Sequence, residues 1–145
     1  MALADFAFLY PLRVRWAETD MVGVVFNGHY AAYFHVAFTE YLRATGLPNA
    51  LEQGASGHVL YVRKSTIEYA APARFDDLLE IGFRCAAIGR SSIRFVQEIF
   101  RDGQHLISGE LTYVYADTQL GKGVAVPDDW RRTITSFEKL PPDTL

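Results

Sequence analysis

One segment constrains this chain more than any other. Tyr30, Tyr33, Phe34, Ala37, Phe38, Tyr41, Leu42 and Thr45 recur at the i, i+3, i+4 spacing of one helix face, while His35, Thr39, Glu40 and Arg43 fall outside it. The spacing predicts one long helix with a heavily aromatic stripe, closed by Gly46 and Pro48. Asn27 or Gly28 is expected to cap its start, where a side-chain oxygen or a permissive backbone suits the free amides of a first turn. Such a stripe must be buried against a second layer.

The rest of the chain supplies strands. From Phe8 to Trp16 apolar residues alternate as Phe8, Tyr10, Leu12, Val14 and Trp16, with Arg13 and Arg15 on the other face. Four further extended runs follow the helix: His58 to Ala71, ended by Pro72; Leu78 to Ile88, broken by Gly89; Ser92 to Arg101; and His105 to Ala116. The turn signal Asp102-Gly103 joins the last two as a hairpin. Asn49 to Gly57 is expected as loop, and Pro127 to Phe137 as a short terminal helix. The order predicts a single α+β domain over residues 1–145, a long central helix wrapped by a five-stranded antiparallel sheet. Only that helix is available as cover, so the aromatic far face of the sheet predicts self-association.

Composition narrows the function classes. Fourteen basic against seventeen acidic side chains leave a net charge of −3, which gives no sign of a nucleic-acid binder. Cys85 is the only cysteine, and no histidine pair has helical ligand spacing, so neither a disulfide nor a metal centre is expected. The apolar stretch Phe6 to Leu12 is short and contains Pro11, which reads as neither a signal peptide nor a membrane span. A cytoplasmic setting is the expectation.

The chemistry-bearing segment is Glu18 to Tyr30, between the first strand and the helix. Asp20 is either a turn-forming aspartate accepting backbone amides or a reactive carboxylate. Its neighbours Met21, Val22, Val24, Val25 and Phe26 give it an apolar lining, and the helix N-terminus lies a few residues on. An acid and an anion-stabilising helix end facing one cavity suit acyl transfer. Glu18 reads as a solvated strand-end charge and His29 as a structural first-turn residue, although either could share the site. Gly-x-Ser-x-Gly is absent, the nearest run being Gly54-Ala-Ser-Gly57 in the expected loop, and phosphate-loop and dinucleotide fingerprints are missing. Arg63, Lys64 and Arg90 are the cations nearest a ligand surface, each also readable as a solvated charge.

Thr19-Asp-Met-Val-Gly-Val-Val-Phe26, together with the block from Val62 to Ile81, resembles the hotdog-fold acyl-CoA thioesterases of the 4-hydroxybenzoyl-CoA thioesterase type. The branch most similar is that of the bacterial Tol-Pal-associated thioesterases, which commonly carry histidine where this chain has Asn27. The resemblance spans roughly Leu12 to Asp117 and implies hydrolysis of an acyl-CoA, short-chain or aromatic, to the free acid and coenzyme A. It implies Asp20 as nucleophile or general base, the backbone amide of Asn27 polarising the thioester carbonyl, and Gly23 shaping the loop. It also implies Arg90 and Ser91, and more weakly Arg63 and Lys64, at the coenzyme A phosphates. No cofactor is implied beyond coenzyme A as part of the substrate. The acyl group would be buried at the interface of a homodimer, with a homotetramer beyond it, and no nucleic acid or transmembrane segment is implied. Another branch places its acid on the central helix, where Glu40 is the nearest counterpart. A hotdog hydratase or dehydratase, which would carry a catalytic histidine, and a non-catalytic acyl-CoA-binding module are the competing readings.

Overall fold

A computed structural model describes residues 1–145. Its strands are β1 (Leu9–Arg13), β2 (His58–Tyr69), β3 (Leu78–Ile88), β4 (Ser92–Arg101) and β5 (Gln104–Asp117). They form one antiparallel sheet in the order β1-β3-β4-β5-β2, extended by two-residue strands β6 (Lys122–Gly123) on β5 and β7 (Asp143–Thr144) on β3. Across the sheet lies α1 (His29–Thr45), whose buried residues are Tyr30, Tyr33, Phe34, Ala37, Phe38, Tyr41 and Leu42, the stripe read from the sequence. This is the expected α+β hotdog arrangement. Gly46, in the left-handed conformation, ends the helix.

Aromatic contacts seat the helix. The Phe38 ring lies 4.8 Å from Tyr113 in a stacked geometry and within 6 Å of Phe83 and Phe95, and Tyr41 lies 5.1 Å from Phe83. The sheet must make room for these rings. Gly109 does so, since a Cβ there would stand 2.6 Å from the Phe34 ring and 2.8 Å from Gln97 Oε1.

Three expectations need correction. Asn49 to Gly57 is not a loop: it holds α2 (Ala50–Ser56), whose N-cap Asn49 accepts from the Glu52 amide while the Glu52 side chain accepts from the Asn49 amide. The cover is not α1 alone, because α3 (Asp128–Phe137) buries Trp130 and Ile134 in the same core. Trp16 does not continue the inward alternation: β1 ends at Arg13, the chain enters a 3₁₀ turn over Trp16–Glu18, and Trp16 is left 70% exposed against Phe75. The far face of the sheet is also partly covered by the chain itself. Phe6 of the N-terminal segment packs where a Gly82 Cβ would stand and against Phe100, while the Leu140 carbonyl accepts from the Arg84 guanidinium, so both chain ends cover part of the outer face of β3.

Gly109→Ala should therefore destabilise the fold by roughly 1–3 kcal/mol through overpacking against Phe34. Gly54→Ala, in α2 with nothing within 4 Å of the added methyl, should be neutral or stabilising by up to about 1 kcal/mol. Urea unfolding of both variants checks the pair, and an unaffected Gly109→Ala midpoint would contradict this packing.

Candidate active site

The loop from Glu18 to Asn27 folds back on itself. The Asp20 amide donates to the Val24 carbonyl at 2.9 Å, the Gly23 amide donates to the Asp20 carbonyl at 3.0 Å, and Thr19 bridges Val25 below them. Gly23 takes φ +79°, a conformation costly for a residue with a Cβ, and this turns the chain behind Asp20. Asp20 Oδ1 accepts the Val22 amide at 2.9 Å, so one oxygen orients the carboxylate while Oδ2 has no protein partner. The turn reading of Asp20 is thus correct as geometry and leaves a carboxylate oxygen free.

The loop is pinned from two sides. The Val25 amide donates to the Ala73 carbonyl at 2.8 Å, and the Ala73 amide donates to the Tyr30 hydroxyl at 3.0 Å. The other anchor is Glu18, which is buried and not a solvated charge. Its carboxylate receives the Arg15 guanidinium at 2.6 and 3.1 Å, the Arg15 amide at 2.8 Å and the Tyr33 hydroxyl at 2.8 Å. Burial pushes this carboxyl upward, but those bonds outweigh it and hold it below the usual carboxylate value.

Gly28 precedes α1 with helical dihedrals, and neither it nor Asn27 provides a side-chain cap. The amides of Asn27 and Gly28 donate to no protein acceptor. Asp20 and Asn27 line one cavity of about 470 Å³ with the apolar walls Val24, Phe26, Tyr69 and Ile107. Asp20, with one free carboxylate oxygen, and Asn27, with an unclaimed backbone amide just ahead of α1, thus line one mostly apolar cavity, the pairing that attack on a carbonyl needs.

The other expected residues lie elsewhere. His29 begins α1 with its ring against Phe26, outside the cavity lining. Glu40 is engaged by Arg43 on the outer side of α1. Arg63 and Lys64 are exposed midway along β2, where a bulge interrupts its pairing with β5. Arg90 is exposed and Ser91 half-buried in the turn between β3 and β4. That turn is at the far end of β3 from Asp20, whose loop pairs with Arg74 and Phe75 ahead of the strand. Eleven residues of β3 separate them, on the order of 35 Å. One chain does not bring Arg90 and Asp20 together.

Residues 14–134 match the family described as the thioesterase-like superfamily. The chain belongs to that superfamily. This thioesterase is 36% identical over 121 residues to the acyl-CoA thioester hydrolase YbgC of Escherichia coli, a match covering 83% of this chain and 90% of that one. It is 28% identical over 127 residues to the acyl-CoA thioesterase YbgC of Haemophilus influenzae, covering 88% and 93%. Among solved structures, a Thermus thermophilus thioesterase complexed with coenzyme A and Zn superposes with a TM-score of 0.83 at 25% identity, covering 96% of this chain and 99% of that one. No helix of this thioesterase is long and apolar enough to cross a membrane.

Cys85 offers no rival nucleophile for the thioesterase. It is fully buried, its amide donating to Glu138 at the end of α3, and burial together with that carboxylate pushes its thiol up to about 12. The native protein should leave Ellman's reagent unreacted over hours and give one thiol per chain in denaturant; rapid native labelling would contradict this placement.

Proposed function

We propose that this thioesterase hydrolyses an acyl-CoA, short-chain or aromatic in its acyl group, with Asp20 as the acting carboxylate. The observation that carries the reading is the shared cavity of Asp20 and the Asn27 amide. The thioester carbonyl oxygen accepts from that amide, which stabilises the negative charge developing as the carbonyl carbon is attacked. As a general base, Asp20 takes a proton from water while the water oxygen bonds to the carbonyl carbon. The carbon–sulfur bond then breaks and the proton passes to the leaving thiolate, giving acid and coenzyme A. As a nucleophile, Asp20 bonds to the carbonyl carbon and the carbon–sulfur bond breaks, releasing the thiolate and leaving a mixed anhydride; water then opens the anhydride, its oxygen going to the acyl carbon and its proton to the thiolate, which gives the same products. Asn27 serves as well as the histidine common in the Tol-Pal-associated branch, nearest which we place the chain, since the donor is a backbone amide. This reaction calls on no cofactor beyond the coenzyme A of the substrate, and an acyl-CoA substrate supports a cytoplasmic setting.

The separation of Arg90 from Asp20 favours a homodimer. β2 is an edge strand, exposed from Tyr61 to Thr66, with no neighbour on its outer side. Its His58 end pairs with Asp117, at the same end of the sheet as the Gly89–Ser92 turn; its Tyr69 end borders the Asp20 cavity. Antiparallel pairing of two β2 strands about a two-fold axis sets the partner's turn end beside the Asp20 end of the first chain. A second cavity of about 190 Å³, lined by His35, Phe38, Leu60 and Tyr113, lies at that same turn end. In the dimer it would wall the acyl group, while the Arg90 turn meets the coenzyme A phosphates and Ser91, Arg63 and Lys64 flank them. A homotetramer would leave this site intact.

A hydrolysis screen over short, long and aromatic acyl-CoAs identifies the substrate. Asp20→Asn keeps size and the Val22 contact while removing the charge, so kcat should fall at least ~10²-fold with acyl-CoA still bound. Near-parental single-turnover hydrolysis by the folded variant would make Asp20 a structural turn residue. Arg90→Ala should raise KM for acyl-CoA more than for a truncated pantetheine thioester, and equal effects on both would remove Arg90 from the phosphate role.

A further inference from the structure

We propose that Glu18 is a positioning residue that holds the Asp20 carboxylate and the Asn27 amide in mutual register by tying both to Tyr33 of α1, an inference that rests on the roles given to those two groups above.

Glu18 stands where the two ends of the site meet. Two residues after it comes Asp20, and its own carbonyl accepts the amide of Phe26 at 3.0 Å, the residue immediately before Asn27. The turn that presents Asp20 is therefore closed at its base by the Glu18 backbone, with the acid on one arm and the carbonyl-polarising amide on the other. The Glu18 side chain fastens that base to the helix. Oε1 receives the Tyr33 hydroxyl and the Arg15 amide, both at 2.8 Å, and Oε2 receives the Arg15 guanidinium. Glu18 is only 6% exposed, and neither oxygen lacks a donor. A lone fold anchor could have served elsewhere in the loop; this one is the only side chain bonded to both the approach to Asp20 and the helix that begins two residues after Asn27.

The charge matters as well as the bonds. A guanidinium and a carboxylate share two charge-assisted bonds with fixed direction, whereas a carboxamide at this position presents a donor group to the donor-only Arg15. Glu18→Gln keeps an acceptor for Tyr33 and loses the Arg15 pair, so the loop base gains freedom without losing its attachment. Tyr33→Phe leaves the Arg15 pair and loses the helix. Displacing a reacting group by an ångström can cost ~10²-fold in rate, so a partial loosening should cost about tenfold.

The experiment measures kcat and KM with butyryl-CoA or benzoyl-CoA, whichever the parent turns over faster, for Glu18→Gln, Tyr33→Phe, the double variant, Asp20→Asn and Tyr41→Phe. Tyr41→Phe is the stability control, because it removes a bond of similar kind, from Tyr41 to buried Glu138, on the same helix away from the cavity. Expected are roughly tenfold losses in kcat for Glu18→Gln and for Tyr33→Phe with KM within about twofold. The double variant should fall no further than the worse single one, as for two parts of one device. Tyr41→Phe should lower the melting temperature and leave kcat unchanged. The inference is overturned if the folded Glu18→Gln and Tyr33→Phe proteins keep the parental kcat, if their losses multiply, or if Tyr41→Phe loses as much kcat at an equal drop in melting temperature. Should Glu18→Gln fail to fold, the comparison of Tyr33→Phe with Tyr41→Phe decides alone. An Asp20→Asn protein of parental activity would instead strike the reading of Asp20; its inactivity beside unaffected Glu18 and Tyr33 variants would strike only this inference.

Discussion

Burying the aromatic stripe of α1 is the constraint on which the rest of the structure depends. Seven residues of that helix have no polar atom to spare for water except three tyrosine hydroxyls, and each hydroxyl finds a partner: Ala73 for Tyr30, Glu18 for Tyr33 and Glu138 for Tyr41. The sheet must curl to receive the rings, and Gly109 supplies the depth Phe34 needs. Once the helix is seated, its first turn lies at the end of the sheet where β2 runs out at Tyr69, and Asn27 and Tyr30 line the cavity there.

Two of those partners are buried carboxylates with opposite titration behaviour. At Glu18, burial is outweighed by Arg15 and Tyr33, and the carboxyl is held below its ordinary value; this favours folding above the carboxylate range and is lost as pH falls through the lowered value. At Glu138, burial wins over the bonds from Tyr41 and the Cys85 amide, and one oxygen has no partner. A carboxyl raised in this way binds its proton more readily when folded, so it favours the fold at low pH and works against it as pH rises towards the raised value. The fold thus carries a firm ion pair on the cavity side and a costly charge on the far side.

Local patterns carried most of the fold. β3 and β4 begin and end where Gly89 and the Asp102-Gly103 turn punctuate the sequence, and α1 follows from its stripe alone. The misses have physical causes. α2 is short and contains Gly54, so periodicity is silent there, although the Asn49 and Glu52 capping pair was readable. Trp16 fits an alternation whose strand has already ended. In the candidate site, Asp20 stood out through its apolar neighbours and the nearby helix start, whereas Gly23 and Asn27 were reached through the family resemblance. Glu18 was not legible, since its burial depends on Tyr33, which the helix stripe already explained as core. Arg90 shows the complementary difficulty: a turn can be found in a sequence, but which end of the sheet it occupies is a property of the completed topology.

The hairpin-like loop and the first turns of α1 form a nearly contiguous stretch, with Glu18 and Tyr33 only 15 residues apart. The walls of the cavity come partly from this stretch, as Val24, Val25, Phe26 and Tyr30, and partly from Tyr69, Ala70 and Ile107, far along the chain. One wall of the cavity is therefore encoded with the loop, and the facing wall is encoded apart from it. A substitution at Tyr69, Ala70 or Ile107 can thus reshape the cavity without touching the hydrogen bonds that hold the Glu18–Asn27 loop, whereas one at Val24 or Phe26 alters wall and loop together.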